Sequence, residues 1–237
     1  MPPGRVRGRV LRTVVTPGAN GNTGGRPRTG CRFPPTRHNA RVTESTTAPP
    51  DSTRSRVERA ALDLFTLRGF ENVTSDEVAD SAGISRRTFF RYYATKADAV
   101  WGDFADHVAR LESFLAATEP ERPVLASVCS AYVEVNDYPE ADLPLLRERM
   151  QLILTEPALL AHSNVRFAEV DRVVARHVAG RTGAAPSDLV PRLVAVSTRA
   201  AATTAFEVWL ADDRTSLTAS LHRAFDEMAA GFPSLRP

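Results

Sequence analysis

The chain is poor in cysteine, in aromatics and in long apolar runs. Its two cysteines, Cys31 and Cys129, have no ligand-like neighbours, and no Cys-x-x-Cys occurs. That speaks against a disulfide framework or a zinc site and for a reducing compartment. No stretch of about eighteen apolar residues exists, so no segment reads as a membrane span. The basic first thirty or so residues hold no apolar run of signal-peptide length, which makes the cytoplasm the expected location. Catalytic signatures are missing as well. There is no GxSxG, no phosphate-binding glycine loop, no GxGxxG after a strand and no HExxH. His107, His162, His177 and His222 share no metal-ligand spacing with a carboxylate or thiol. Nothing here calls for a catalytic role, a metal or a cofactor.

Net charge is small, but its placement is uneven. The 237 residues carry 30 Lys and Arg against 28 Asp and Glu, a formal net of +2. Residues 1–50 hold nine arginines and one acid, Glu44, while the remainder is net acidic. A basic face in the folded part must therefore be sought locally. Rich in Gly, Pro, Thr and Arg, residues 1–50 read as a disordered basic arm. Such an arm either adds phosphate contacts or, if translation starts further downstream, has no role.

Apolar residues make up 43 % of the chain and aromatics only 7 %. The core must then rest on Leu, Val and Ala, a composition that suits helices. Val57, Ala60, Ala61, Leu64 and Phe65 repeat at i, i+3, i+4, i+7 and i+8, one stripe of an amphipathic helix. Gly69 is placed to end it. Thr74 and Glu77 form a capping box for a short helix that stops at Gly83. Ser85 opens a second short helix running through Tyr93. Thr95 with Asp98 starts a third. From there Trp101, Phe104, Val108, Leu111 and Leu115 predict one long helix, broken at Pro120 and Pro123. Five more helices are expected, near 124–136, 141–155, 158–179, 187–211 and 216–230. No strand-like alternation or repeat appears, so the fold class is all-α.

Two short helices around a tight turn containing glycine make a helix-turn-helix at residues 74–93. The second helix of that motif enters the major groove with its N-terminus on base edges. Here that N-terminus reads Ser85-Arg86-Arg87-Thr88. Arginine bonds guanine in bidentate fashion, and threonine reads a base or a thymine methyl. Arg91, Tyr92 and Lys96 add donors along the same edge.

The flanking residues Gly69-Phe70, Thr74, Gly83-Ile84-Ser85, Thr88 through Tyr93 and Thr95-Lys96 resemble the TetR family of bacterial regulators over residues 52–104. The resemblance implies three N-terminal DNA-binding helices followed by a larger helical domain that binds an effector and dimerises. It implies that Ser85, Thr88, Tyr92 and Lys96 touch phosphates and that Arg86 and Arg87 read bases. Where many members carry a tyrosine hydroxyl on phosphate, this chain has Phe90, which points to a structural role there. Arg86 through Tyr92, Lys96-Ala97-Asp98 and Trp101 through Phe104 are also similar to the regulators that accompany mycofactocin biosynthesis genes. Regulators of that type are linked with acyl-CoA responses, which points to a long-chain acyl-CoA as effector.

The expected organisation is a basic arm over 1–50, a helix-turn-helix domain over 51–98, and an effector-binding and dimerisation domain over 99–237. Candidate pocket residues are Phe104, Val128, Tyr132, Arg147, Met150, Leu154 and Phe167, with Arg149, His162 and Arg166 as further groups for its mouth. The helix near 187–211 is apolar on two faces, so one face is expected to meet a second copy. Val194, Trp209, Leu217, Leu221 and Phe225 are the expected interface of that homodimer. The partners are thus operator DNA, a small-molecule effector and a second copy of the chain, with no membrane. Two other readings stay open: a helical adaptor whose helix-turn-helix no longer binds DNA, and a sensor of a neutral lipophilic compound.

Overall fold

The computed structural model describes residues 52–232; the proposed arm over 1–50 lies outside them. Among the described residues the regular structure is ten α-helices and one turn of 3-10 helix, with no strand. The first three helices are α1 (Thr53–Arg68), α2 (Ser75–Ser81) and α3 (Arg86–Tyr92). Each begins at a side-chain cap. The Ser55 N–H donates to Ser52 Oγ at 3.1 Å, the Glu77 N–H to Thr74 Oγ1 at 3.2 Å, and the Thr88 N–H to Ser85 Oγ at 3.2 Å. The Thr74 N–H in turn donates to Glu77 Oε2 at 2.8 Å, completing the expected capping box. Such caps are worth about 1 kcal/mol each. They matter here because helices of seven residues do not hold their shape alone.

The apolar stripe of α1 is the floor of this unit. Val57, Ala61, Leu62 and Phe65 are buried against Phe70, Val73, Val78 and Phe89. Phe65 meets Phe70 edge-on, centroids 5.0 Å apart. Phe89 is fully buried and anchors α3, contributing about 2–3 kcal/mol through the area it hides.

One expected helix is two. The segment after Thr95 divides into α4 (Lys96–Trp101) and α5 (Phe104–Ala116). The break is at Gly102, whose backbone lies at φ 59° and ψ −136°, a conformation in which a side chain is strained. A side chain would also press on the ends of two others. A Cβ there would stand 2.8 Å from Arg149 Nη1 and 2.9 Å from Glu58 Oε2.

The remaining elements are α6 (Val124–Val135), the 3-10 turn (Glu140–Asp142), α7 (Leu143–Thr155), α8 (Pro157–Thr182), α9 (Leu189–Ala211) and α10 (Leu217–Ala229). Pro144 and Pro157 open their helices, where a missing N–H costs nothing. Gly180 does not stop α8; Gly183, at φ 71°, does. Helix α9 packs against both α8 and α10. Its buried face carries Ala195, Thr198, Ala202, Ala205, Phe206 and Trp209.

The residues expected at a dimer interface need correcting on this point. Trp209, Leu217, Leu221 and Phe225 are all covered within one chain, Leu221 and Phe225 completely. A partner cannot reach them. What α9 exposes is the opposite stripe of Leu189, Val190, Leu193 and Val196, the first 78 % and the third 58 % exposed, together with Val208. Val194 lies between the two faces, half-buried.

Candidate nucleic-acid interface

Gly83, at φ 69°, turns the chain between α2 and α3. Phe89 and Tyr93 then point inward, so the opposite side of α3 faces solvent with Ser85, Arg86, Arg87, Phe90 and Arg91. Thr88 and Tyr92 are half-buried beside them. Arg87, Thr88, Phe90 and Arg91 line an open hollow on this surface.

The arginines differ in their engagements. Arg86 donates to Asp76 Oδ2 at 2.5 Å across the turn, and its guanidinium lies 5.3 Å from the ring centre of Phe90. Arg91 sits over Tyr92 at 5.1 Å and donates to its hydroxyl at 3.4 Å. Arg87 has no ion-pair or hydrogen-bond partner among the described residues. Ser85 and Thr88 share a hydroxyl–hydroxyl bond of 2.9 Å.

Phe90 packs under Arg86. It is 42 % exposed, stands edge-on to Phe89 and holds Arg86 against its face. Asp76, overlooked in the sequence, is the other half of that support. It lies ten residues from Arg86, and nothing local marks the pairing.

Thr74 and Lys96 have duties inside the fold. The Thr74 hydroxyl donates to Glu77 Oε2 at 2.9 Å. Bonds from the Thr74 backbone and hydroxyl, with the Arg68 guanidinium 2.8 Å away, hold the Glu77 carboxyl at a pKa of about 2. Lys96 Nζ donates to the carbonyls of Phe70 at 2.6 Å and Val73 at 2.8 Å and lies 4.2 Å from the Phe70 ring centre. Two of its three donors thus tie α4 to the loop between α1 and α2.

The second domain places the expected pocket residues in different surroundings. Phe104 and Phe167 join Trp101 in an edge-on aromatic group, at 5.0 and 5.5 Å from it. Val128 and Tyr132 are buried on α6, and Tyr132 lies 5.7 Å from Phe225. Met150 and Leu154 on α7 are partly buried against the same core. The Trp101 indole N–H is buried without a hydrogen-bond partner, an uncommon state for such a group. Burial pushes the Tyr132 hydroxyl pKa up. His107 stacks on Phe104, and loss of water with Arg110 nearby lowers its pKa to about 4. Arg147 serves the end of α9 instead. It donates to the carbonyls of Trp209 and Leu210 at 3.0 and 3.2 Å and covers the Trp209 ring at 4.2 Å. Arg149 pairs with Glu58 and Arg166 with Asp98, each across to the DNA-binding side. No cluster of possible metal ligands occurs among the described residues, and none of their helices is long and apolar enough to cross a membrane.

Comparison with known proteins agrees with this architecture. Residues 59–99 match the model of bacterial regulatory proteins of the tetR family, and residues 122–233 match the MftR C-terminal domain. The chain is 37 % identical to the mycofactocin biosynthesis transcriptional regulator MftR of Mycobacterium tuberculosis, over 78 % of this chain and 93 % of that one. It is 31 % identical to the HTH-type transcriptional regulator TcmR of Streptomyces glaucescens, covering 78 % and 83 % respectively. Among solved structures, FadR of Thermus thermophilus, a transcriptional repressor crystallised with lauroyl-CoA, superposes with a TM-score of 0.51 at 20 % identity. That match covers 78 % of this chain and 96 % of the other and shows the shared fold.

Proposed function

Because this chain belongs to the TetR family of bacterial transcriptional regulators, we propose that it is a repressor that leaves a palindromic operator when a long-chain acyl-CoA binds. The observation that carries the DNA half is Arg87. It stands exposed and unpaired in the first turn of the capped helix α3, next to a helix N-terminus whose free amides attract phosphate. Arg86 and Arg87 read bases, while Ser85, Thr88, Arg91 and Tyr92 hold the backbone. Thr74 and Lys96 contribute from the edge of the motif.

Two copies are needed to read two half-sites, about 34–36 Å apart or a multiple of that. The exposed stripe of α9 supports this pairing. Leu189, Leu193 and Val196 fall at i, i+4 and i+7 on one line of the helix, and a surface stripe of that kind favours a partner.

The effector reading rests on the aromatic group of Trp101, Phe104 and Phe167, the unpartnered Trp101 N–H, and Arg166 beside Phe104. An apolar chain suits the rings, and an anionic head suits the arginine. Lauroyl-CoA on the repressor of the same fold is consistent with that chemistry. A ten- to hundredfold loss of operator affinity requires only about 1.4–2.8 kcal/mol of coupling.

The test is a mobility shift on the region upstream of the gene, titrated with acyl-CoAs of increasing length. A sharp, salt-sensitive shift that longer chains reverse is the expected result. No shift on any nearby palindrome overturns the DNA reading. Release by free CoA as efficient as by the acylated form overturns the effector.

A further inference from the structure

Two basic side chains of α8, one turn apart, converge on a single carboxylate oxygen of α4. Arg166 Nη2 lies 2.6 Å from Asp98 Oδ1, and His162 Nε2 lies 3.2 Å from the same atom. The other oxygen, Oδ2, accepts from the Thr95 N–H and from the Thr95 hydroxyl, both at 2.9 Å. One carboxylate therefore builds the first turn of α4 and joins α4 to α8. The site is shielded, with Asp98 only 12 % exposed and Arg166 26 %, so the pair is screened less than one in open water. Burial pushes the Asp98 carboxyl pKa up, but bonds from Arg166 and Thr95 outweigh it and hold the pKa below its usual value.

The contact continues with apolar chemistry. Trp101, three residues after Asp98 and on the same side of α4, sets its ring edge-on to Phe167 of α8 at 5.5 Å. The Arg166 guanidinium lies 5.9 Å from the ring centre of Phe104. What α4 offers to α8 is thus an acid followed by a flat apolar body. Trp101 Nε1, buried among these rings, has no acceptor.

We infer that Asp98 and Trp101 are an internal stand-in for the effector, and that an amphiphile with an anionic head binds Arg166 and His162 by displacing Asp98. This rests on the effector reading above and names its regulation. Helix α4 follows α3 after only Tyr93, Ala94 and Thr95, so release of Asp98 frees the element that positions the recognition helix. The ligand and the DNA-competent arrangement then compete for one guanidinium. That supplies the differential affinity without which no ligand shifts an equilibrium. An acceptor atom close behind the head would also satisfy the Trp101 N–H.

The experiment uses the full chain, with Asp98→Asn and Arg166→Gln variants, and measures laurate, lauroyl-CoA and uncharged 1-dodecanol by calorimetry alongside operator affinity. Removing the internal competitor should tighten lauroyl-CoA about tenfold in Asp98→Asn and weaken the operator by a similar factor. Arg166→Gln should weaken lauroyl-CoA about tenfold. Dodecanol should respond to neither substitution. If laurate follows the same pattern, any anionic head is read; if only lauroyl-CoA does, the phosphates are. A merely structural Asp98 predicts weaker operator binding with no gain for the acyl probes. That outcome, or an Arg166→Gln chain that keeps full affinity, overturns the inference while leaving the effector reading intact. Failure of the unsubstituted chain to bind either acyl probe overturns both.

Discussion

Arg86 is held by Asp76 at 2.5 Å across the helix-turn-helix, at the point from which its guanidinium faces solvent. Both side chains are well exposed, so the pair is weak, about 0–1 kcal/mol. It restrains Arg86 without locking it. Arg86→Ala should cost about 1–3 kcal/mol of operator affinity and relax preference at one position. Asp76→Ala should leave affinity unchanged or raise it by up to about 1 kcal/mol. Quantitative mobility shifts on single-base operator variants decide this. Equal weakening by both substitutions rules out base reading by Arg86.

Arg87 and Lys96 should separate specificity from general affinity. Arg87→Ala is expected to flatten the preference at its own base pair. Lys96→Ala should weaken all operators alike and reduce the salt slope by roughly one. It should also lower the melting temperature, because the carbonyls of Phe70 and Val73 lose their donor. A change of sequence preference on removing Lys96 contradicts the division.

The α9 stripe gives a clean dimer test. Leu193→Glu places a charge on a surface that is exposed within one chain, so the monomer should fold normally. Sedimentation should show monomers, and operator binding should collapse. Phe225→Glu, by contrast, buries a charge in the core and should unfold the chain. Dimers that persist in Leu193→Glu at micromolar concentration exclude this face.

Gly102→Ala should destabilise by about 1–3 kcal/mol, chiefly from backbone strain, while the ends of Arg149 and Glu58 shift to make room. Urea melts measure it directly. A loss below about 0.5 kcal/mol means the α4–α5 junction relaxes freely.

His107 supplies a pH dependence. Its pKa is lowered in the fold to about 4 from a usual 6.5. Between those values the unfolded chain binds a proton that the folded chain refuses. Stability should be full above pH 6.5 and fall as the pH drops toward 4. His107→Phe keeps the stacking on Phe104 and should flatten that slope in thermal melts. An unchanged slope assigns the effect to other groups.

The DNA-binding unit was legible because its signals are local. Thr74 with Glu77, Ser85 with the Thr88 amide, and Gly83 at the turn all act within three or four residues. The break at Gly102 was hidden by the apolar spacing that runs from Trp101 to Leu115 and by a glycine that helices tolerate. On α9 the pattern showed two apolar faces but not which one the neighbouring helices cover. That choice is made by packing with α8 and α10. Likewise Asp98 reads as a cap from its neighbour Thr95, whereas its partners His162 and Arg166 lie 64 and 68 residues away.

Lys96 is the sole lysine in the chain. Side-chain amine chemistry therefore has one address, and that ammonium is already bound to two backbone carbonyls. Acylation there would remove the charge and two donors at once and loosen α4 from the loop it fastens. For amine-directed labels and cross-linkers the side chains are nearly silent, and modification of Lys96 itself reports an opened DNA-binding unit. Arginine carries the rest of the positive charge, with a guanidinium that keeps its proton at every pH the fold survives.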